Sequence, residues 1–199
     1  MKTTILAAGL LGLCALSTPA LAQSDETTKP SPLQFFLGAG LTVGGDNLIT
    51  ATYTDGSTSK ISAGGLAQLT AGVQYRFTEK LSSSLSLSYH MDNATASNGS
   101  IRFDRTPVEL LGHYAVTPSV RLGGGVRLVN NAKVSSSGIA SGLDTEFKST
   151  TSLVVEGEYF PTPKVGVKLR LVNESYKPNN NSNVKVDGSH IGLIGSYYF

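Results

Sequence analysis

Serine and histidine are the residue types in this chain that suit nucleophilic chemistry, because an imidazole can take the proton of a neighbouring hydroxyl. Ser88 and His90 alternate along one predicted strand and share a face, whereas Ser189 and His190 are adjacent and point to opposite faces. Ser88 is also one of four alternating serines, and small polar residues that fill a narrow interior explain such a run without chemistry. We therefore predict no catalytic residues.

The third histidine, His113, shares a strand face with Glu109. Strand rise separates these two side chains by roughly 13 Å, which is too far for them to act together directly. The histidines lie on different predicted strands, and Cys14 lies in the N-terminal segment, so the sequence gives no metal-ligand spacing. We expect neither a metal site nor a cofactor.

Long charged side chains alternate with the apolar residues of several predicted strands and share their face with many glycines. In the interior of a small barrel, charges of both signs must neutralise one another. We predict a structural ion-pair network, and a narrow or gated polar path is the alternative. The predicted network consists of Arg76, Glu109, Arg121, Arg127, Glu156, Glu158, Lys168 and Arg170.

Strand-period alternation is the pattern that must position these side chains. Apolar residues recur at every second position in eight stretches, and the final stretch contains Ile191, Leu193, Tyr197 and Phe199 on one face. The eight predicted strands cover about residues 33–43, 68–77, 81–90, 101–116, 120–128, 147–159, 165–174 and 190–199.

The predicted connections alternate in length. Short turns are expected at 78–80, 117–119 and 161–164, and polar loops at 91–99, 130–146 and 175–187. Strands one and two are expected to extend as a ribbon that turns at Asp55-Gly56, with a bulge at Gly44-Gly45. A further bulge or twist is expected near Pro107, because Ile101 and Phe103 are out of phase with the apolar face that follows.

The N-terminal residues predict export. Residues 1–22 contain Lys2, an apolar run and a small-residue site ending at Ala22, which is typical of a cleaved signal peptide. Leu13 precedes Cys14 where lipid attachment would require a small residue. Residues 23–32 are polar and contain two prolines, so we expect a flexible leader before a single barrel domain at 33–199. Without Lys2, 15 basic side chains face 14 acidic ones, a balance that suggests no nucleic-acid partner.

Aromatic residues distinguish a membrane barrel from a soluble one. They end the apolar face at the short-turn side of the predicted strands, which is the position that a membrane interface favours. No later stretch is apolar for long enough to form a spanning helix, so strands must cross the membrane. The predicted fold is all-β, an eight-stranded antiparallel up-and-down transmembrane β-barrel. Its aromatic ring comprises Phe35, Tyr75, Phe77, Tyr114 and Tyr159, together with Tyr197 and Phe199.

This architecture and the Ser-Tyr-Tyr-Phe ending resemble the small eight-stranded outer-membrane proteins of bacteria, the group of the outer membrane protein A transmembrane domain, OmpX and OmpW. The resemblance implies the bacterial outer membrane as location, outer-membrane lipid and lipopolysaccharide as surroundings, and a monomer. It also implies that Tyr197 and Phe199 act as an assembly signal for the barrel-insertion machinery. No motif assigns the chain to one subfamily.

Three functions are open at this stage. We expect a non-enzymatic barrel with a charge-filled interior that serves envelope integrity or surface interaction. The alternatives are a narrow pore for small solutes, as in the OmpW group, and a lipid A-modifying enzyme. The sequence lacks the His-x-Ser-Asn pattern of the lipid A deacylases. The loop lysines Lys60, Lys133, Lys177 and Lys185 are candidates for contact with lipopolysaccharide phosphates or an external partner, or are simply solvated.

Overall fold

The computed structural model describes residues 31–52, 58–96, 99–181 and 183–199. The predicted signal peptide, most of the leader and the Asp55-Gly56 turn lie outside these ranges. Within them, no helix is long and apolar enough to cross a membrane. The strands are β1 (Leu33–Gly44), β2 (Asn47–Thr52), β3 (Thr58–Ser62), β4 (Leu66–Arg76), β5 (Leu81–Ala96), β6 (Gly99–Thr117), β7 (Val120–Gly138), β8 (Thr145–Glu146), β9 (Thr150–Thr162), β10 (Val165–Asn173), β11 (Ser175–Tyr176), β12 (Val186–Asp187) and β13 (His190–Tyr198).

Eight of these strands close into an antiparallel barrel in the order β1, β4, β5, β6, β7, β9, β10, β13. The closing pair is β1 with β13, in register from Phe36 opposite Tyr198 to Gly44 opposite His190. Because closure pairs both edges of the sheet, no barrel strand presents an open backbone edge to lipid. The predicted fold class is confirmed.

Short strands cover the loop end of the barrel. β2 and β3 form a two-stranded ribbon, β11 pairs with β12, and β8 extends the edge of β7. Gly44 and Gly45, with φ values of 133° and 75°, redirect the chain from β1 into the ribbon. This backbone change occurs at the predicted glycine pair, and a left-handed φ is a conformation that glycine adopts without strain.

Two predicted loops are wrong, because the strands continue through them. β5 and β6 remain paired from His90 opposite Arg105 to Ala96 opposite Gly99, where a loop was expected at 91–99. β7 likewise continues to Gly138, through the first half of the loop expected at 130–146. Apolar alternation stops where the lipid-facing surface ends, but backbone pairing does not require apolar side chains and continues through Ser, Thr and Asn.

The expected bulge near Pro107 is present in the pairing of β6 with β7, but the change of phase along β6 that suggested it is not. Ile101 and Phe103 are buried on the same inward face as Glu109, so β6 has no change of phase at Pro107. The register does shift nearby, between Asp104 and Thr106, but the extra residue is on the partner strand β7, where Asn131 has a φ of 54°. Alternation along the predicted strand at 147–159 places Phe147 on the same outer face as Leu153, but Phe147 lies before β9 and is buried in the interior.

Candidate functional site in the barrel interior

The outer and inner faces of the strands differ sharply in chemistry. Leu85 on β5 and Leu153 on β9 are 52% and 65% exposed on the outer face, as expected for side chains that contact lipid. The outer face also places the aromatic residues Phe35, Tyr75, Phe77, Tyr114, Tyr159, Tyr197 and Phe199 near the short-turn end. The inner face holds the charged groups that could perform a function.

Inward glycines provide the space for those charged groups. A Cβ atom at Gly166 would overlap the carboxylate of Glu158, and one at Gly123 would lie 2.5 Å from Nδ1 of His113. The alternation of long charged residues with glycine and serine is therefore a packing solution for a narrow interior.

Glu109 is the centre of the interior network. Its Oε1 accepts a hydrogen bond from Arg127 Nη1 at 2.8 Å, and its Oε2 accepts one from Arg170 Nη2 at 2.7 Å. Arg170 also lies 3.2 Å from Glu156, whose other carboxylate oxygen is 3.7 Å from Lys168 Nζ. All five side chains are buried, so each charge depends on its neighbours rather than on water.

A second cluster lies nearer the short turns. Arg121 Nε donates to Glu158 Oε2 at 2.7 Å, and the two Nη groups of Arg121 donate to Gln74 Oε1 and to the Tyr198 hydroxyl. Tyr198 in turn donates to Glu158 Oε1 at 2.9 Å. The Arg121 guanidinium also lies 4.9 Å from the centroid of the Phe160 ring. Each of the three nitrogen atoms of the Arg121 guanidinium thus donates a hydrogen bond within the cluster.

Arg76 lies apart from both clusters. Its Nη2 donates to Gln34 Oε1 at 3.2 Å, and it is half-buried at the short-turn mouth. In the part of the chain that the structure describes, no carboxylate forms an ion pair with it. The structure therefore places seven of the eight residues of the predicted network in two interior clusters and leaves Arg76 outside both.

Towards the loops, the interior contains a histidine and arginine cluster that the sequence analysis missed. His90 Nδ1 accepts from Arg105 Nη2 at 2.8 Å, and His90 Nε2 lies 2.6 Å from Thr42 Oγ1. Thr42 donates to the Gly64 carbonyl at 2.7 Å, so the chain of donors fits a neutral His90 protonated at Nε2. Glu174, also missed as a network member, accepts from Arg127 Nε at 3.2 Å. Alternate positions of β6 point inward, so the inward position of Glu109 was the signal that Arg105, four residues earlier, also points into the interior.

An apolar plug closes the barrel above this cluster. We define the apolar plug as the buried group in which the rings of Phe103, Phe147 and Tyr176 meet edge to face, with centroids 5.7 to 5.8 Å apart. Burial raises the pKa of Tyr176, whose hydroxyl donates to Glu174. The remaining buried members are Ile61, Ala63, Ala94, Ile101, Val129, Ala132 and Val134.

The interior side chains leave little free space. The cavity beside Glu109, Glu156 and Arg170 has a volume of about 10 Å³, near the lower limit for one water molecule. A much larger cavity, of about 510 Å³, opens only at the short-turn end. Among the described residues, the mid-barrel cavity between the Arg121 cluster and the apolar plug thus has room for about one water molecule.

Ser88 and His90, which share a strand face, do not form a catalytic dyad. Ser88 Oγ bonds to Thr70 and Gln68, while His90 bonds to Thr42 and Arg105. A different pair, Ser84 Oγ and His113 Nε2, lies 2.9 Å apart, and His113 Nδ1 is 3.9 Å from Glu156. This second arrangement is enclosed in the interior. No group of three or more metal-ligating side chains occurs within the described ranges.

Comparison with known proteins decides the family. The family model described as "Outer membrane protein beta-barrel domain" matches residues 8–199. This chain belongs to the outer membrane protein β-barrel domain family. As a closed eight-stranded member of that family, it is an integral protein of the bacterial outer membrane. No curated protein sequence gives a significant match.

Several solved barrels are similar to this chain. Ail of Yersinia pestis, solved with the heparin analogue sucrose octasulfate, is 14% identical with a TM-score of 0.51, over 83% of this chain and 96% of Ail. Neisserial surface protein A is 16% identical with a TM-score of 0.49, over 85% and 98%. The N-terminal barrel of Pseudomonas aeruginosa OprF is 12% identical with a TM-score of 0.44, over 85% and 98%. At these identities, the likeness to Ail concerns the fold alone.

Proposed function

We propose that this protein is a non-enzymatic outer-membrane barrel with a closed interior, which serves envelope integrity or surface interaction rather than transport. The filled interior is the observation that supports this proposal. Between the Arg121 cluster and the apolar plug, the mid-barrel cavity of about 10 Å³ is near the lower limit for holding a single water molecule. A hydrated solute needs a far wider passage.

The closed interior has two different layers, and each opposes transport in its own way. The Glu109 network would have to separate buried opposite charges, which is unfavourable in a medium of low dielectric constant. The apolar plug would have to expose the packed rings of Phe103 and Phe147 to water. A small-solute pore would require both layers to open together.

The loop end is the surface available for interaction in this proposal. Lys60, Lys133, Lys177 and Lys185 are exposed there and could approach lipopolysaccharide phosphates or an external partner. We further propose a monomer, because the barrel closes on itself without a free strand edge. Tyr197 and Phe199 remain a proposed assembly signal for the insertion machinery.

A solute-permeability assay tests the closed interior. The purified protein, reconstituted into liposomes, should not accelerate swelling in small sugars above the rate of protein-free vesicles. Rapid swelling in arabinose would contradict the proposal and favour the small-solute pore. For the enzyme alternative, mass spectra of lipid A should be unchanged when the protein is overexpressed, and a new lipid A species would contradict the non-enzymatic role.

A further inference from the structure

The short-turn end of the barrel contains a concave site that the closed interior does not explain. Its cavity of about 510 Å³ falls in the range of small-ligand sites. The rim is formed by the turns that contain Lys80, Pro118 and Pro161, and the inner wall includes Tyr198 and Phe160. We call this cavity the turn-end bowl. Unlike the mid-barrel interior, the bowl is not filled by its own side chains.

Arg76 provides an available cation in the wall of the bowl. Its Nη2 donates a hydrogen bond to the neutral amide of Gln34 at 3.2 Å, and no carboxylate among the described residues forms an ion pair with it. Arg121, also in the wall, differs because Glu158 already neutralises it. A partly buried guanidinium without an anionic partner is suited to bind a carboxylate with two parallel hydrogen bonds.

The rest of the bowl has groups that suit a peptide. The Oε1 atoms of Gln34 and Gln74 accept from Arg76 and Arg121, so these residues contribute their side-chain NH2 groups. Ser82 contributes a hydroxyl, and together these groups match the acceptors and donors of peptide groups. Phe160 adds an aromatic surface for an apolar side chain. Lys80 on the rim adds a second positive charge beside one negative charge, that of Glu79.

We propose that the turn-end bowl binds a short peptide through a free carboxylate, with Arg76 as the residue that pairs with that carboxylate. In outer-membrane barrels the short turns face the periplasm, so the ligand is a periplasmic peptide. The shared chemistry is a C-terminal carboxylate next to an apolar side chain. Cell-wall peptides and protein fragments both supply it. The site does not depend on whether the barrel interior is closed.

Calorimetric titration of the refolded protein in detergent micelles tests the proposal. The probes are acetyl-Ala-Ala-Ala as the free acid and the same peptide as its C-terminal amide. The acid should bind at least about tenfold more tightly than the amide, because the amide lacks the negative charge and cannot form a charge-assisted hydrogen bond with Arg76. Equal binding of acid and amide, or no binding of either, would overturn the proposal without any variant having to fold.

A matched pair of variants locates the contact. Arg76→Gln should weaken binding of the acid by about tenfold. Lys164→Gln removes a positive charge at the same end of the barrel but outside the bowl, and it should leave binding unchanged. Equal effects of the two substitutions would mean that general charge, rather than the bowl, attracts the peptide, and would overturn the assignment.

Two further titrations define the ligand class. Inorganic phosphate should bind more weakly than the peptide acid, and equal or tighter phosphate binding would overturn the assignment to peptides. Peptides that end in D-alanine or in L-alanine distinguish the two sources. A preference for D-alanine supports cell-wall peptides as the ligand, and a preference for L-alanine supports protein fragments.

Discussion

At the scale of single residues, Glu109 best expresses how the interior is stabilised. One carboxylate joins two buried guanidiniums, those of Arg127 and Arg170, and burial removes the water that would otherwise solvate all three charges. In such a setting, the net stabilisation that the ion pairs provide is smaller than the destabilisation that follows when one partner is removed. An unpaired buried charge is strongly destabilising.

Glu109→Gln should therefore lower the free energy of unfolding by about 3–5 kcal/mol, since Arg127 and Arg170 would lose their shared negative charge. The measurement is equilibrium urea unfolding of the protein in lipid vesicles. Glu146→Gln makes the same chemical change at an exposed position of β8 and should leave stability unchanged. Similar stability of both variants would contradict the role assigned to Glu109.

The alternation of residues along a strand predicts which face of the strand a side chain occupies better than it predicts which residue that side chain contacts. Alternation is enough to state that Glu109 and Arg127 share the side of their strands with glycine and serine, but the partner of each charge depends on register and on side-chain reach across the barrel. Arg76 illustrates the limit, because at the end of β4 the inward face becomes the open mouth. Arg105 was missed because the apolar Ile101 and Phe103 suggested a phase change that β6 does not have.

At the scale of elements, strand β7 shows how strictly the two faces differ. A Cβ atom at the inward Gly125 would overlap the carbonyl oxygen of Leu110 and lie 2.9 Å from Cα of Leu111. At the adjacent Gly124, on the outer face, the nearest atom would be 3.6 Å away, which is an ordinary contact. Glycine is thus needed for close packing on the inward face of β7, but not on its outer face.

Gly125→Ala should destabilise the barrel by about 1–3 kcal/mol or more, because backbone atoms of β6 would have to move. Gly124→Ala, one residue away, should fold with wild-type stability. Both can be compared by the urea midpoint and by the gel mobility of unheated samples. If Gly124→Ala were the more damaging change, the assignment of faces along β7 would be wrong.

The apolar plug is an element that depends on the long β5–β6 hairpin and the β2–β3 ribbon. Ile101 and Phe103 lie on the part of β6 beyond the lipid-facing band, and Ile61 on β3 is buried against them. The sequence did not reveal the plug, because its members come from separate segments, which were expected to form a ribbon, loops, the out-of-phase start of strand four and the start of strand six. Apolar side chains that meet only through tertiary structure leave no periodic signal.

Phe103→Ala should lower the free energy of unfolding by about 3–5 kcal/mol, as expected for a large buried side chain that leaves a cavity. Leu110→Ala, on the lipid face of the same strand at 55% exposure, is the matched control and should lower it less. Urea unfolding in vesicles measures both. A larger effect at Leu110 would show that the plug contributes little to stability.

At the scale of the whole molecule, the barrel has apolar side chains on its outer face and charged side chains in its interior, which is the reverse of a soluble domain. The sequence was sufficient for the fold, because eight alternating segments and an aromatic band have few other solutions. It was not sufficient for a role, because the same barrel supports several functions. The filled interior is the feature that separates a closed barrel from a pore.

Single-channel recording in planar bilayers tests the closed interior most directly. The protein must first be shown to be folded, by different gel mobility of boiled and unboiled samples. With folded protein inserted, the current should stay at the baseline of the lipid at both polarities, because the Glu109 network and the apolar plug leave no continuous water path. Steady, large open channels would contradict this account.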